Sequence, residues 1–389
     1  MPPQGRSHWR PLGGVLAVPD FRRLWLVGLA VSVARWLEML VIGVVVWSAT
    51  HSAFLVAAMT LLRLAPMGLL GAPLGVLADR IERRAALIAV LVVQASGMAA
   101  LAAVAAAGDL AVWHIALACL ASGLGWAADN PVRRMMIGDS LGAARMGVGM
   151  SLDVVGNNAS RVAGPALGGT LLAALGPEAA FGAAFLLYLA AIAIATRLSR
   201  RPRTMAPRTG PVLAEVRESF HLAAALPRLR AVLIVTVVFN LFAWPFTAMV
   251  PVIAAEHLRL GPEATGWLAS LDGVGALAGA ALVGLLTRPA HYPYLLVAGA
   301  ALYLAMVAGF SATQATLVYQ VTPPELRSRA LGVLSVAVGS GLIGFLHLGL
   351  LAGVTGPRIA TMMIGLEGLL ALALTWRWWR AVLAPLDKW

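Results

Sequence analysis

A chain of 389 residues that is 60% hydrophobic and 12% charged, with a mean hydropathy of +0.85, carries too much apolar surface for a water-soluble fold. Its net charge of +12 would suggest nucleic acid in a soluble protein, but the arginines stand in short loops between apolar runs. That placement is membrane topology, so no nucleic-acid partner is expected, and the fold class is all-α and polytopic with the lipid bilayer as its surroundings. Nearly all of the positive charge is guanidinium, because Lys388 is the sole lysine, and the single cysteine, Cys119, lies in an apolar run with no internal disulfide partner.

Taking about 20 apolar residues per crossing, the first part of the chain reads as helices at 24–48, 53–78, 85–107, 111–136, 147–174 and 179–197. The run from Leu24 is too long for a signal-peptide core and is expected to remain as the first span. Arginines gather on alternate loops, at Arg22 and Arg23, at 80–84, at Arg133, Arg134 and Arg145, and at 197–208, so the N-terminus is expected on the cytoplasmic side of the plasma membrane. Residues 1–198 form a six-helix half, and 199–230, rich in Arg, Pro and Thr, reads as a cytoplasmic linker. A second half, 231–389, follows with helices at 231–256, 264–287, 292–321, 328–352 and 358–381, ending in a belt of Trp376, Trp378 and Trp379 with Arg377 and Arg380.

The two halves repeat, with one exception. Arg23 to Arg84 is 61 positions and Arg230 to Arg288 is 58, but Arg84 to Arg145 is 61 where Arg288 to Arg329 is only 41. At about 1.5 Å per residue the segment 289–324 reaches roughly 54 Å, short of the ~60 Å plus a turn that two crossings require. Eleven spans are expected, with one missing or shortened near 289–324. The arginines at 327 and 329 oppose that count, since the positive-inside rule puts them on the cytoplasmic side.

Several motifs sit on this framework. Between spans two and three stands Gly75-Val-Leu-Ala-Asp79-Arg80-Ile-Glu82-Arg83-Arg84. Span four ends in Asp129-Asn130-Pro131-Val-Arg133, and span five holds Gly164-Pro165-Ala-Leu-Gly168-Gly169, preceded by Asn158 and Arg161. Pro165 removes a helix donor while the glycines allow close helix contact. These residues resemble the major facilitator superfamily. The 75–84 stretch is similar to its loop between spans two and three, with Glu82 where a glycine is usual. The Gly-Pro-x-x-Gly-Gly stretch resembles the motif of its exporters, and Asp129 to Arg133 resembles relatives of the enterobactin exporter and other drug or siderophore exporters. The resemblance implies a bundle of two pseudo-symmetric halves rocking about a midplane cavity, secondary active export of a small, largely apolar molecule, protons as coupling partner, and a monomer. The rival is a degenerate, non-transporting scaffold or sensor of the same fold.

Charge inside a span is costly and marks function or pairing. Arg35 and Glu38, three apart on span one, are expected to pair, with Glu38 the proton carrier and Asp272 in reserve. Arg161, Asn240 and Asp272 are placed beside the cavity, and Glu367 is a further charge in the last span. Asp79, Arg83 and Asp129 are expected to form a latch at the cytoplasmic face, with Gly75, Arg80, Arg84 and Arg133 completing the gating loop. Gly339-Ser-Gly341-Leu-Ile-Gly344 matches a dinucleotide-binding pattern but lies in an apolar span with no β-α-β setting, and it reads as a packing face. No phosphate loop, His-Glu-x-x-His or cysteine pair is present, so neither an enzyme nor an ATP-driven pump is expected, and no cofactor or metal.

Overall fold

The computed structural model describes residues 14–80, 82–199, 224–286 and 336–380, with isolated positions 217, 221, 298, 333 and 334, while the side chains of 70–80, Asn130, Pro131, 143–144 and 280–286 are not described. The expected shortened span at 289–324 and nearly all of the linker lie outside the described residues, so the count of eleven stays an expectation.

Among the described residues the regular elements are helices. They are α1 (Pro19–Thr50), α2 (Ala53–Arg80), α3 (Arg83–Ala106), α4 (Val112–Leu141) and α5 (Ala143–Ala195), then α6 (Pro227–Val238), a π-helical turn (Phe239–Ala243), α7 (Phe246–Glu256), α8 (Pro262–Leu286), α9 (Gly341–Thr355), α10 (Pro357–Leu374) and the short α11 (Trp376–Trp379). Six stretches among them are long and apolar enough to cross a membrane. Spans five and six of the sequence reading are the two arms of α5. They fold back at Gly176, whose φ of 85° is open to glycine and strained for other residues, and Pro177 then starts the second arm with its missing N–H at a helix start.

Span seven is not one continuous helix either. Pro245 has no N–H to give to the Leu241 carbonyl, and the turn before it widens so that the Trp244 N–H reaches back to the Phe239 carbonyl at 3.0 Å. Gly344 of α9 sits against the Leu241 carbonyl, which fills the space beside the widened turn.

The chain runs up and down between two ends. One carries the turns at His51, Gly108, Gly176, His257 and Gly356, the other those at Glu82, Gly142 and Ser199. A main apolar core runs through α1 to α5 and continues into Met249, Val252, Phe345 and Leu348 beyond the linker. A second cluster packs α6 against Leu372 and Trp379. Trp379 is therefore not part of an outward belt: it is buried, its indole N–H donating to the Leu372 carbonyl at 2.7 Å, while Trp376 and Trp378 stay exposed.

Candidate functional site

The polar residues of the first half converge in the middle of the bundle. On α1, Arg35 and Glu38 are both buried, Glu38 completely. They do not pair with each other as the sequence spacing suggested. Glu38 takes Arg63 of α2 at 2.6 Å and the Ser122 hydroxyl of α4 at 3.0 Å, while Arg35 reaches Asp129 of α4 at 3.3 Å. The reason is steric: Arg63 stands alongside Glu38 and also donates to the Arg35 carbonyl at 3.2 Å, so partners on neighbouring helices meet each group more directly than a bent i,i+3 contact can. Tyr188, fully buried on the second arm of α5, lies in the same electrostatic neighbourhood.

From Asp129 the ladder continues along α4. Arg133, one turn on, approaches Asp129 at 3.7 Å and pairs with Asp153 of α5, which Arg134 also meets at 3.8 Å. In space the groups follow one another as Arg63, Glu38, Arg35, Asp129, Arg133, Asp153, Arg134, with Glu38 and Arg35 joined through the Arg63 to Arg35 carbonyl contact. Buried charge is tolerated when it is paired, and this alternation gives each buried group an opposite charge, although Arg35 Nε, Glu38 Oε1, Asp129 Oδ1 and Arg133 Nε have no hydrogen-bond partner among the described residues. A cavity of ≈ 20 Å³, enough for about one water, adjoins Arg63, Thr60 and Cys119 where α7 brings in Thr247, Ala248 and Pro251.

The expected latch is differently wired. α2 continues to Arg80 and α3 begins at Arg83, and Glu82 caps α3 at a φ of −59°, which any residue adopts, so no glycine is needed there. Arg83 pairs with Asp139, not with Asp129, because Asp129 lies ten residues back along α4, about 15 Å from that end. Arg84 donates to the Thr196 carbonyl. The side chains of Gly75, Asp79 and Arg80 fall outside the described residues, so Asp79's share in a latch is not seen.

A different arrangement joins the parts of the chain on either side of the linker. Gly164 and Gly168 face α1, and a methyl at Gly164 would stand 2.8 Å from the Val33 carbonyl. Gly169 faces α8, where a methyl would stand 2.6 Å from the Pro262 carbonyl, and one on Gly266 would stand 2.5 Å from the Pro165 carbonyl. The exporter-like stretch is therefore a two-sided contact in which helix backbones approach without side chains between them. Just below it Arg161 forms an ion pair with Asp272, lies over the Trp36 ring at 5.0 Å, and the Ser270 hydroxyl donates to the Val162 carbonyl at 2.7 Å. On the opposite side of the bundle, Gly349 of α9 packs on Ala57 and Phe54 of α2. Asn240 is buried and turned back on its own helix, donating one amide N–H to the Thr236 carbonyl at 2.8 Å.

Sequence reasoning missed Arg63, the direct partner of Glu38, because span two was scored as an apolar run. A lone arginine well inside that run was the available signal. Asp153, a carboxylate inside the expected span 147–174, carried the same signal, whereas Tyr188 gave none, and His347, at 2.7 Å from Glu367, needed the pairing of α9 with α10 to be seen.

Known structures share this fold. A POT family transporter in complex with 5-aminolevulinic acid has a TM-score of 0.69 at 12% identity over 94% of this chain and 96% of that chain. A bacterial homolog to the human lysosomal transporter Spinster, inward-facing and unoccupied, has a TM-score of 0.65 at 15% identity over 97% and 96%. The nucleoside transporter NupG has a TM-score of 0.67 at 12% identity over 94% and 100%. No curated protein matches the chain. At these identities the likeness shows the fold alone. The family comes from sequence: residues 7–326 match the profile described as transmembrane secretion effector, and with that span of the chain covered, the protein belongs to this family of major facilitator transporters and is a multi-pass membrane protein, not an enzyme.

Proposed function

We propose that the protein is a proton-coupled exporter of a small, largely apolar molecule, with its N-terminus cytoplasmic in the plasma membrane. The observation that carries this reading is Glu38, wholly buried in an apolar bundle yet held by Arg63 and Ser122 next to the seam between the halves. A carboxylate so placed is retained at a cost unless it does something, and gaining and losing a proton as the halves rock is what a coupling site does. Arg63 can hold the charged form in one state, and movement of α7 past the small cavity beside Arg63 changes that support in the other.

With the N-terminus inside, the His51 end faces outward. Several contacts between halves lie at or near that end, at Gly169 with Gly266, Gly43 with Pro251, Gly349 with Ala57, and the Arg161 to Asp272 pair below them, with Trp126 and Trp244, and Gly68 and Gly339, meeting deeper in the bundle. This supports a state closed to the outside. The Arg83 to Asp139 pair and Arg84, with Asp79 and Arg80 on the same connection, act at the cytoplasmic end, and Asp272 belongs to the outer gate rather than to proton transfer.

The test is flux in proteoliposomes. Wild-type protein with an imposed pH difference should accumulate at least one compound from a panel of small apolar molecules, with matching proton movement read by trapped pyranine. Glu38→Gln should fold, exchange the compound down its gradient, and fail to accumulate it. Full accumulation by Glu38→Gln would remove Glu38 from coupling.

A further inference from the structure

Where the halves meet at mid-bundle the contact is aromatic. Trp126 of α4 and Trp244, just past the π-helical turn, stand edge to face with ring centroids 6.4 Å apart and planes at 86°, and Trp244 meets Phe345 of α9 in the same manner at 5.5 Å. Both tryptophans are only partly buried, unlike the charged ladder behind them. One face of Trp126 is taken: the Arg35 guanidinium carbon lies 4.8 Å from its ring centre, the same guanidinium that holds Asp129.

We propose that the Trp126 and Trp244 pair is a slot for a fused-ring aromatic substrate, neutral or anionic, that lies at the seam beside Arg35. The proposal rests on the export reading and gives its substrate a chemical class. A flat ring between two others needs about 7 Å from face to face, twice the ~3.5 Å of carbon contact, and the observed 6.4 Å spacing comes close to that once one indole turns from edge-on to parallel. Trp244 follows a widened π turn and lies directly on Gly341 of α9, where the missing side chain leaves the ring room on that side, while Phe345 meets it on another. Aromatic stacking is indifferent to most ring chemistry, so charge is what selects. Arg35 covers Trp126, and among the buried charges behind it, three guanidinium groups balanced by three carboxylates, it is the one that lies against the ring. An aromatic cation stacked on Trp126 would stand against the Arg35 guanidinium, whereas a carboxylate on the ring would be drawn to it.

The slot also accounts for a link between substrate and seam. A ring inserted between Trp126 and Trp244 replaces a contact that ties the two halves, so binding changes what holds them together.

The experiment measures binding of naphthoate, naphthalene methanol and naphthylmethyl trimethylammonium to the full-length protein in lipid nanodiscs, with empty nanodiscs subtracted. Naphthoate and naphthalene methanol are expected to bind and the ammonium compound to bind more weakly. Trp126→Ala and Trp244→Ala should each weaken naphthoate by about threefold to tenfold, the size of one lost aromatic contact, while Trp244→Phe keeps most of it. Arg35→Gln, measured in protein shown to be folded, should narrow the gap between naphthoate and the ammonium compound, and Trp244→Phe, which keeps an aromatic ring, guards against a tryptophan variant that fails to fold. Equal binding of all three compounds, or naphthoate binding untouched by the tryptophan substitutions in folded protein, overturns the slot while leaving export to its own flux test. Binding as expected with no flux of any compound supports the slot and sinks the export reading instead.

Discussion

The charged ladder within the first half and the seam between the halves solve opposite problems. In the ladder, Arg63, Glu38, Arg35, Asp129, Arg133 and Asp153 are buried and tied across α1, α2, α4 and α5, so that separating those helices would strand charge in hydrocarbon. At the seam the described contacts are apolar side chains such as Met249, Val252, Phe345 and Leu348 continuing the core of the first half, glycines set close against a neighbouring helix, one partly exposed ion pair between Arg161 and Asp272, and edge-to-face indoles. Breaking these exposes little charge. The difference teaches that the first half is held by buried charge that cannot be stranded, whereas the seam is held by contacts that strand little charge when broken.

This comparison is broken most severely inside the ladder. Arg63→Leu leaves Glu38 buried without its cation, and removing one partner of a buried pair costs about 3 to 5 kcal/mol. Purified Arg63→Leu should show a large drop in melting temperature, and the double variant Arg63→Leu with Glu38→Leu should recover part of it. A lone substitution as stable as the parent would show that the pair does not hold the helices.

A smaller effect is expected at the seam. Gly266→Ala drives a methyl against the Pro165 carbonyl, and overpacking of this kind costs about 1 to 3 kcal/mol. Because the clash exists only while the halves touch, the expected outcome is a shift away from the described state, read as greater thiol labelling of a cysteine placed at Leu40 in a Cys119→Ser background. Unchanged labelling would mean that α5 and α8 do not need to approach so closely.

The smallest effect belongs to Arg83 and Asp139, whose side chains are 26% and 35% exposed. Exposed pairs are worth ~0 to 1 kcal/mol. Arg83→Gln should leave melting within the scatter of the parent, and a drop as large as that of Arg63→Leu would move this pair into the same class as the ladder.

Much of this was readable from sequence. Apolar run length gave the helices, and the Gly164 to Gly169 stretch announced a close contact because glycine leaves backbone exposed to a neighbour. What was not readable was partner choice. Arg35 and Glu38 looked like a pair because spacing along one helix is visible in sequence, whereas Asp129 and Arg63 become neighbours only when α4 and α2 pack on α1. The Arg83 assignment failed for the same reason, since rise along α4 decides which carboxylate reaches the end of the bundle. The break in span seven was signalled by Pro245, but its π form depends on Gly344 lying against the freed carbonyl.

The central claim, rigid halves that part at a seam, is tested most directly by two disulfides in a Cys119→Ser background. Ala57 with Gly349 crosses the seam, where a Cβ on Gly349 would lie 3.0 Å from that of Ala57. Gly97 with Ala121 joins α3 to α4 inside one half, with the corresponding distance 3.9 Å. Both are close to the ~3.5 to 4.5 Å that a disulfide spans. Pyranine-read flux should stop when Ala57→Cys with Gly349→Cys is oxidised and return on reduction, while oxidised Gly97→Cys with Ala121→Cys transports like its reduced form. Full flux through the cross-linked seam would contradict the account.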